Sequence, residues 1–209
     1  MHKLMTARTN PLPTIRRTLS CYLQGFTMSR KMFLGLIVIL ASGCSPVSVN
    51  DYSAFEPRLV LQDFFSGPLT AHGVVKNRNG LVIRTFNADI QASWTDGIGT
   101  LDEYFLFDDG ERQRRVWTLI PNGDGSYRAE VGDVVGVGRL QSAGNSLFLE
   151  YVLRIPYGES TVDVTVDDRM YLVSQAVLIN ESSMKKFGFR VGSIDLVILR
   201  QAGKPATHQ

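Results

Sequence analysis

Cysteine is almost missing: Cys21 and Cys44 are the only two in 209 residues. That excludes a disulfide scaffold and a cysteine-based metal centre. Histidine is equally sparse. His72 stands alone between the first 43 residues and a polar tail that holds His208, so a histidine-built metal site or a Ser-His-Asp centre has little to work with. No G-x-S-x-G elbow occurs. The longest uncharged apolar run, Met32 to Leu40, falls far short of the roughly 20 residues that span a membrane as a helix. Acidic residues are absent from the first 43 positions, which carry six of the 22 basic residues.

That N-terminal imbalance has a specific shape. In "MSRKMFLGLIVILASGCSPVS", Arg30 and Lys31 precede the apolar run, and Ala41, Ser42 and Gly43 precede Cys44. Charge, a short apolar stretch and small residues in that order are the parts of a signal peptide. The cysteine directly after them resembles the lipobox of bacterial lipoproteins, with Ala41 where leucine is usual. Translation then starts at Met28, residues 1–43 are targeting segment and signal, and Cys44 is the acylated first residue of the mature chain. The alternative is an ordinary secretory signal with an incidental cysteine. "IRRTLS" and "SRKMFL" hold only part of a twin-arginine pattern and read as plain n-region charge. Ser45 after the cysteine implies sorting to the outer membrane of a Gram-negative envelope, on the periplasmic side. Processing there turns the formal charge of +2 into −4, which removes the basis for a nucleic-acid partner.

The mature chain reads as a tether over 44–57, one domain over 58–201 and a disordered tail over 202–209. In "TFNADIQASW", Phe86, Ala88, Ile90, Ala92 and Trp94 alternate with polar residues, which marks an antiparallel strand with one buried face. Eight similar runs are separated by turn signals such as "NRNG", "TDGIG", "DDG" and "PYGES". The expectation is an all-β antiparallel meander of about nine strands, closing into a lipocalin-like barrel. Helix is expected only at "QDFF" and "NESSMKKFG", the latter capped by Asn180 or Ser182. With no thiol left after lipidation, the monomer rests on its core alone.

One hairpin yields a register. If Asp108-Asp109-Gly110 is a three-residue loop, Phe105 faces Gln113, Glu103 faces Arg115 and Leu101 faces Trp117. Glu103 and Arg115 then share the apolar, inward face, where a charge is tolerable only with a partner. A structural ion pair and a ligand-binding pair remain open readings. The aromatics Phe86, Trp94, Phe105 and Trp117 complete the candidate ligand-binding set with Glu103 and Arg115. Phe107 and Tyr151 add to the same surplus. No catalytic or metal-binding residue and no cofactor is expected. "GDVVGVG" has the wrong spacing for a phosphate loop and reads as bulges and close backbone approach. Asp108 and Asp109 belong to their turn, whereas Asp167 and Asp168 lack an explanation. Lys185 and Lys186, beside Phe187, read as solvated surface or as a contact for anionic lipid.

Together "DFFSGPLTAHGVVKNRNGLVIRTFNADI", "GTLDEYFLFDDGERQRRVWTL", "GDVVG", "VDDRMYLV" and "SMKKFGFRVG" resemble a bacterial lipoprotein family known as domain of unknown function 3833. The resemblance implies a lipocalin-like fold and no established activity, with relatives near genes of membrane fatty-acid modification. His72 and Arg169 stand where it leads one to expect tryptophan. The reading that follows is a lipid-anchored envelope protein whose barrel binds or carries a fatty acid or phospholipid. The alternative is a non-catalytic structural or interaction module with a packed core. A cavity on the order of 300 Å³ or more, lined by Glu103 and Arg115, separates the two.

Overall fold

A computed structural model describes residues 46–201; Cys44, the apolar run and the tail from 202 lie outside the described residues. The described chain is built from ten antiparallel strands: β1 (Gly67–Asn77), β2 (Val82–Thr95), β3 (Ile98–Phe107), β4 (Arg112–Pro121), β5 (Tyr127–Glu130), β6 (Gly138–Ala143), β7 (Ser146–Tyr157), β8 (Ser160–Ser174), β9 (Val177–Lys186) and β10 (Phe189–Arg200). Each pairs with its neighbour in sequence, and β10 pairs with β1, so the sheet is a closed barrel. The all-β lipocalin-like architecture expected from the sequence is the one observed.

Turn chemistry sets the local register. Asp96 and Gly97, both at positive φ, make the two-residue turn between β2 and β3. The "DDG" loop closes β3 onto β4 as anticipated: Gly110 has φ +86, and Phe107 N–H donates to Glu111 O at 3.0 Å. Leu101 faces Trp117, Glu103 faces Arg115 and Phe105 faces Gln113.

Strand β9 replaces an expected helix and brings the count to ten. "NESSMKKFG" supplies most of β9 and its turn, not a helical segment. Leu178, Asn180, Ser182 and Met184 alternate inward, but two of these four are polar, so the period of two was masked in the sequence. Asn180 and Ser182 are therefore wall residues and cap nothing.

The β1/β2 turn and the β9/β10 turn lie at one end of the barrel. The other end is plugged. A single helical turn, α1 (Leu61–Phe64), buries Leu61 and Phe64, and Phe65 follows at 4% exposure. Trp94 Nε1 donates to Phe65 O at 2.7 Å and pins the plug to β2. Within the segment expected as tether, Val49–Tyr52 forms a 3-10 turn. The Tyr52 ring lies 5.8 Å from Phe148 and 5.4 Å from Tyr171.

Candidate functional site

Above the plug the barrel encloses a cavity of about 1260 Å³, mostly apolar and open at the unplugged end. A solid core would have filled it, so the packed-interior alternative does not describe this molecule. Toward the mouth Phe86, Phe105 and Phe107 form one aromatic wall, with ring centroids 5.5–6.1 Å apart. Arg84 lies 3.6 Å above the Phe107 ring, and Asp109 and Glu111 hold its guanidinium at 2.7 Å each.

Halfway along the strands the lining turns polar. Glu103 from β3, Arg115 from β4, Tyr151 from β7, Asp168 from β8 and Ser182 from β9 all border the cavity. A loop adds Asp133. Strands β5 and β6 are short, and residues 131–137 cross the wall between them. Val135 N–H donates to Val152 O at 2.8 Å, and Arg154 N–H donates to Asp133 O at 2.9 Å. This tie to β7 sets Asp133 Oδ1 3.1 Å from Arg115 Nη2. The same guanidinium lies 5.0 Å from the Trp117 ring, which meets Tyr151 edge-on at 5.3 Å.

Burial dominates the electrostatics. It pushes the Glu103 carboxyl up to about 7, with Arg115 opposing and Asp168 adding to the rise. It pushes Asp168 up to about 6 against the nearby Ser182 and Tyr151 hydroxyls and Arg115. The Tyr151 phenol is driven well above its ordinary value, again chiefly by burial. For Arg115 burial works the other way, but Tyr151, Asp133 and Glu103 outweigh it and the guanidinium stays charged. Two buried atoms here lack a hydrogen-bond partner among the described residues: Asp168 Oδ1 and Arg115 Nε. The site can accept a hydrogen at Asp168 and donate one from Arg115 to whatever occupies the lumen.

Of the six candidate residues, Glu103, Arg115, Trp117, Phe105 and Phe86 border the cavity. Trp94 does not. It sits below the lumen against the plug, its N–H taken by Phe65 and its ring 5.9 Å from Tyr127. The anticipated partner of Arg115 also changes: Glu103 is its cross-strand neighbour, yet the ion pair goes to Asp133. Asp133 lies within "GDVVGVG", whose glycine spacing carries no sign that its one acid reaches the lumen. Asp167 and Asp168 part company because neighbours on a strand face opposite ways. Asp167 points outward to Arg169 at 3.1 Å, so the two acids do not face one ligand. His72 and Arg169, where tryptophan was anticipated, are both on the outer wall, with His72 Nδ1 2.7 Å from Asn87 Oδ1 and the Arg169 guanidinium 4.9 Å from the Phe148 ring. They leave the cavity's shape untouched. Lys185, Lys186 and Phe187 come to the β9/β10 turn beside the mouth.

Among curated proteins none matches the chain. The S-type phycobiliprotein lyase CPES from Guillardia theta is similar in fold, with a TM-score of 0.52 and 10% identity over 76% of this chain and 100% of that one. At that identity the likeness speaks for the barrel alone. The dehydratase domain of RzxB from Pseudomonas fluorescens, 9% identical over 81% of this chain and 82% of that one, has a TM-score of 0.24 and carries no argument. Residues 38–200 match the model of the family described as "Protein of unknown function (DUF3833)", which spans both the cavity-forming strands and the loop that delivers Asp133, and the chain belongs to that family.

Proposed function

We propose that this protein binds a single hydrophobic molecule in its barrel, without chemistry, and carries it at a membrane to which Cys44 anchors the chain by acylation. The carrying observation is the cavity. Its 1260 Å³ exceeds the roughly 300–1,000 Å³ of ordinary small-molecule sites, and its walls are mainly apolar with a few convergent polar groups. Fatty acids and phospholipids are the class such a lumen would meet in a cell envelope.

The rim supports a lipid setting. Phe187, Phe189, Leu81 and Ile83 are the four most exposed large apolar residues among those described, at 88%, 77%, 66% and 60%. All four belong to the β1/β2 and β9/β10 tips, on strands that are neighbours through the β1/β10 pairing. Arg78, Lys185, Lys186 and Arg190 flank them, and neither tip holds an acidic residue. Apolar and basic side chains together suit contact with an anionic lipid surface.

Native mass spectrometry of the full chain, gently purified from its own host, tests the ligand. A co-purifying lipid in one-to-one ratio is expected, and repeated recovery of the empty protein would defeat the reading. Fractionation tests the anchor: Cys44→Ser is expected to give unprocessed or soluble protein, and a variant that is processed and membrane-bound like the wild type would remove it.

A further inference from the structure

We infer that the cavity selects ligands whose inward-facing end donates hydrogen bonds and bears no negative charge, such as an ammonium, hydroxyl or N–H group, and that Glu103 and Asp168 receive it. The inference rests on the ligand-binding reading and narrows it.

The charge balance at mid-barrel comes first. Three carboxylates, Glu103, Asp133 and Asp168, share one guanidinium, and Asp133 already holds it at 3.1 Å. A ligand carboxylate or phosphate pushed to this depth would meet two further acids, with only Nε of the Asp133-paired guanidinium left to donate to it, so the acids outnumber what could hold it. An anion is thus the wrong guest.

Hydrogen-bond supply comes second. Asp168 is 7% exposed and borders the cavity. Its cross-strand neighbour is Ser182, but the Ser182 hydroxyl donates to Asn180 Oδ1 at 2.9 Å. Asp168 Oδ1 is left with no donor, even though the Ser182 and Tyr151 hydroxyls lie near the carboxyl. An alkyl chain covering this position would seal a polar atom without a partner, whereas a donor satisfies it. Among the described residues no three histidine, cysteine or acidic side chains are grouped to hold a metal ion.

Size and surroundings agree. The apolar wall of Phe86, Phe105 and Phe107 lies toward the mouth, so a hydrophobic body fits there while its donor end reaches the acids. Within the lipid class proposed above, amine-, amide- or hydroxyl-bearing molecules are favoured over a fatty-acid carboxylate pointing inward.

The test is displacement of a neutral fluorescent probe, 1-N-phenylnaphthylamine, from the full chain by dodecylamine, dodecanol and dodecanoate, which differ only in the end group. Dodecylamine and dodecanol are expected to compete at least about tenfold more strongly than dodecanoate, the scale of one charge-assisted hydrogen bond. In Asp168→Asn and in Glu103→Gln the dodecylamine advantage should shrink several-fold while the probe still binds. Both variants keep side-chain shape, and circular dichroism checks that each folds. Equal competition by all three in the wild type overturns the inference and leaves the ligand reading standing. So does an advantage that survives in both variants. If the probe itself does not bind, the ligand reading falls and takes the inference with it.

Discussion

Glu103 and Arg115 face each other across β3 and β4 inside the barrel, yet the guanidinium bonds Asp133 and leaves Glu103 to titrate near neutrality. An inward ion pair foreseen between two strands has become a three-sided arrangement, with the third side delivered by a loop. The cation is shared among acids, and its removal should be felt by all of them.

Arg115→Met is therefore expected to destabilise the fold by about 3 kcal/mol near neutral pH, the scale of breaking a buried pair from one side. At about pH 5, where the buried acids take up protons more readily, the loss should be markedly smaller. Arg115→Met with Asp133→Asn should cost less than Arg115→Met alone. Chemical denaturation at both pH values measures all three.

The buried acids also give the protein a slope with pH. Glu103 at about 7 and Asp168 at about 6 both sit above their ordinary values of 4.5 and 3.8, so the native state binds protons that the unfolded chain has released. Their contribution is fully present below the ordinary values and is lost as pH rises through the native ones. Stability should fall between about pH 4 and pH 7, by an amount on the order of 3 kcal/mol for Glu103 alone. Glu103→Gln should flatten that part of the curve, leaving the variant more stable than the wild type at about pH 8. A melting temperature that rises steadily across this range would contradict the assignment.

At Gly73 on β1 the wall is thin by necessity. An added Cβ would lie 2.5 Å from Phe86 Cζ and 2.7 Å from Leu196 Cβ, its neighbours on β2 and β10. The Leu196 atom cannot swing away. Gly73→Ala is expected to cost about 1–3 kcal/mol by overpacking and to tip the Phe86 ring toward the lumen. Thermal melts report the first effect and weaker probe binding the second.

Trp94 holds the plug by one hydrogen bond to a backbone carbonyl. Trp94→Phe keeps an aromatic ring above Gly99 but strands Phe65 O, at a cost of about 1–2 kcal/mol. Differential scanning calorimetry of the variant is the measurement. Unchanged stability would show that the plug is held by packing alone.

What could be read in advance follows from where polarity alternates. β2 was plain because from Thr85 to Trp94 one face is wholly apolar and the other polar. The β3/β4 register was plain because one glycine at positive φ permits one loop geometry. β9 was opaque because Asn180 and Ser182 point into the lumen, and a polar cavity erases the pattern that a dry core would have written. Asp168 was visible as an acid without a purpose, but its direction needed the strand register. Asp133 had no local signal at all. Its position depends on β5 and β6 being short, a property of the assembled wall.

The seam between β1 and β10 bears on how the chain comes to be folded. Lys76 and Asp195 form an ion pair across it, 119 positions apart, and Gln201 reaches Thr70 over 131. Nearly the whole domain must be available before the barrel can shut. Until residues 189–200 arrive, β1 and β9 are open edges of a curved sheet, each able to pair with another chain. Closure over so long a loop is slow in comparison with hairpin formation, so the sheet waits in its open state. A chain that ends before Phe189 loses more than one strand's contacts, since it keeps both edges for good and should aggregate where the full chain folds.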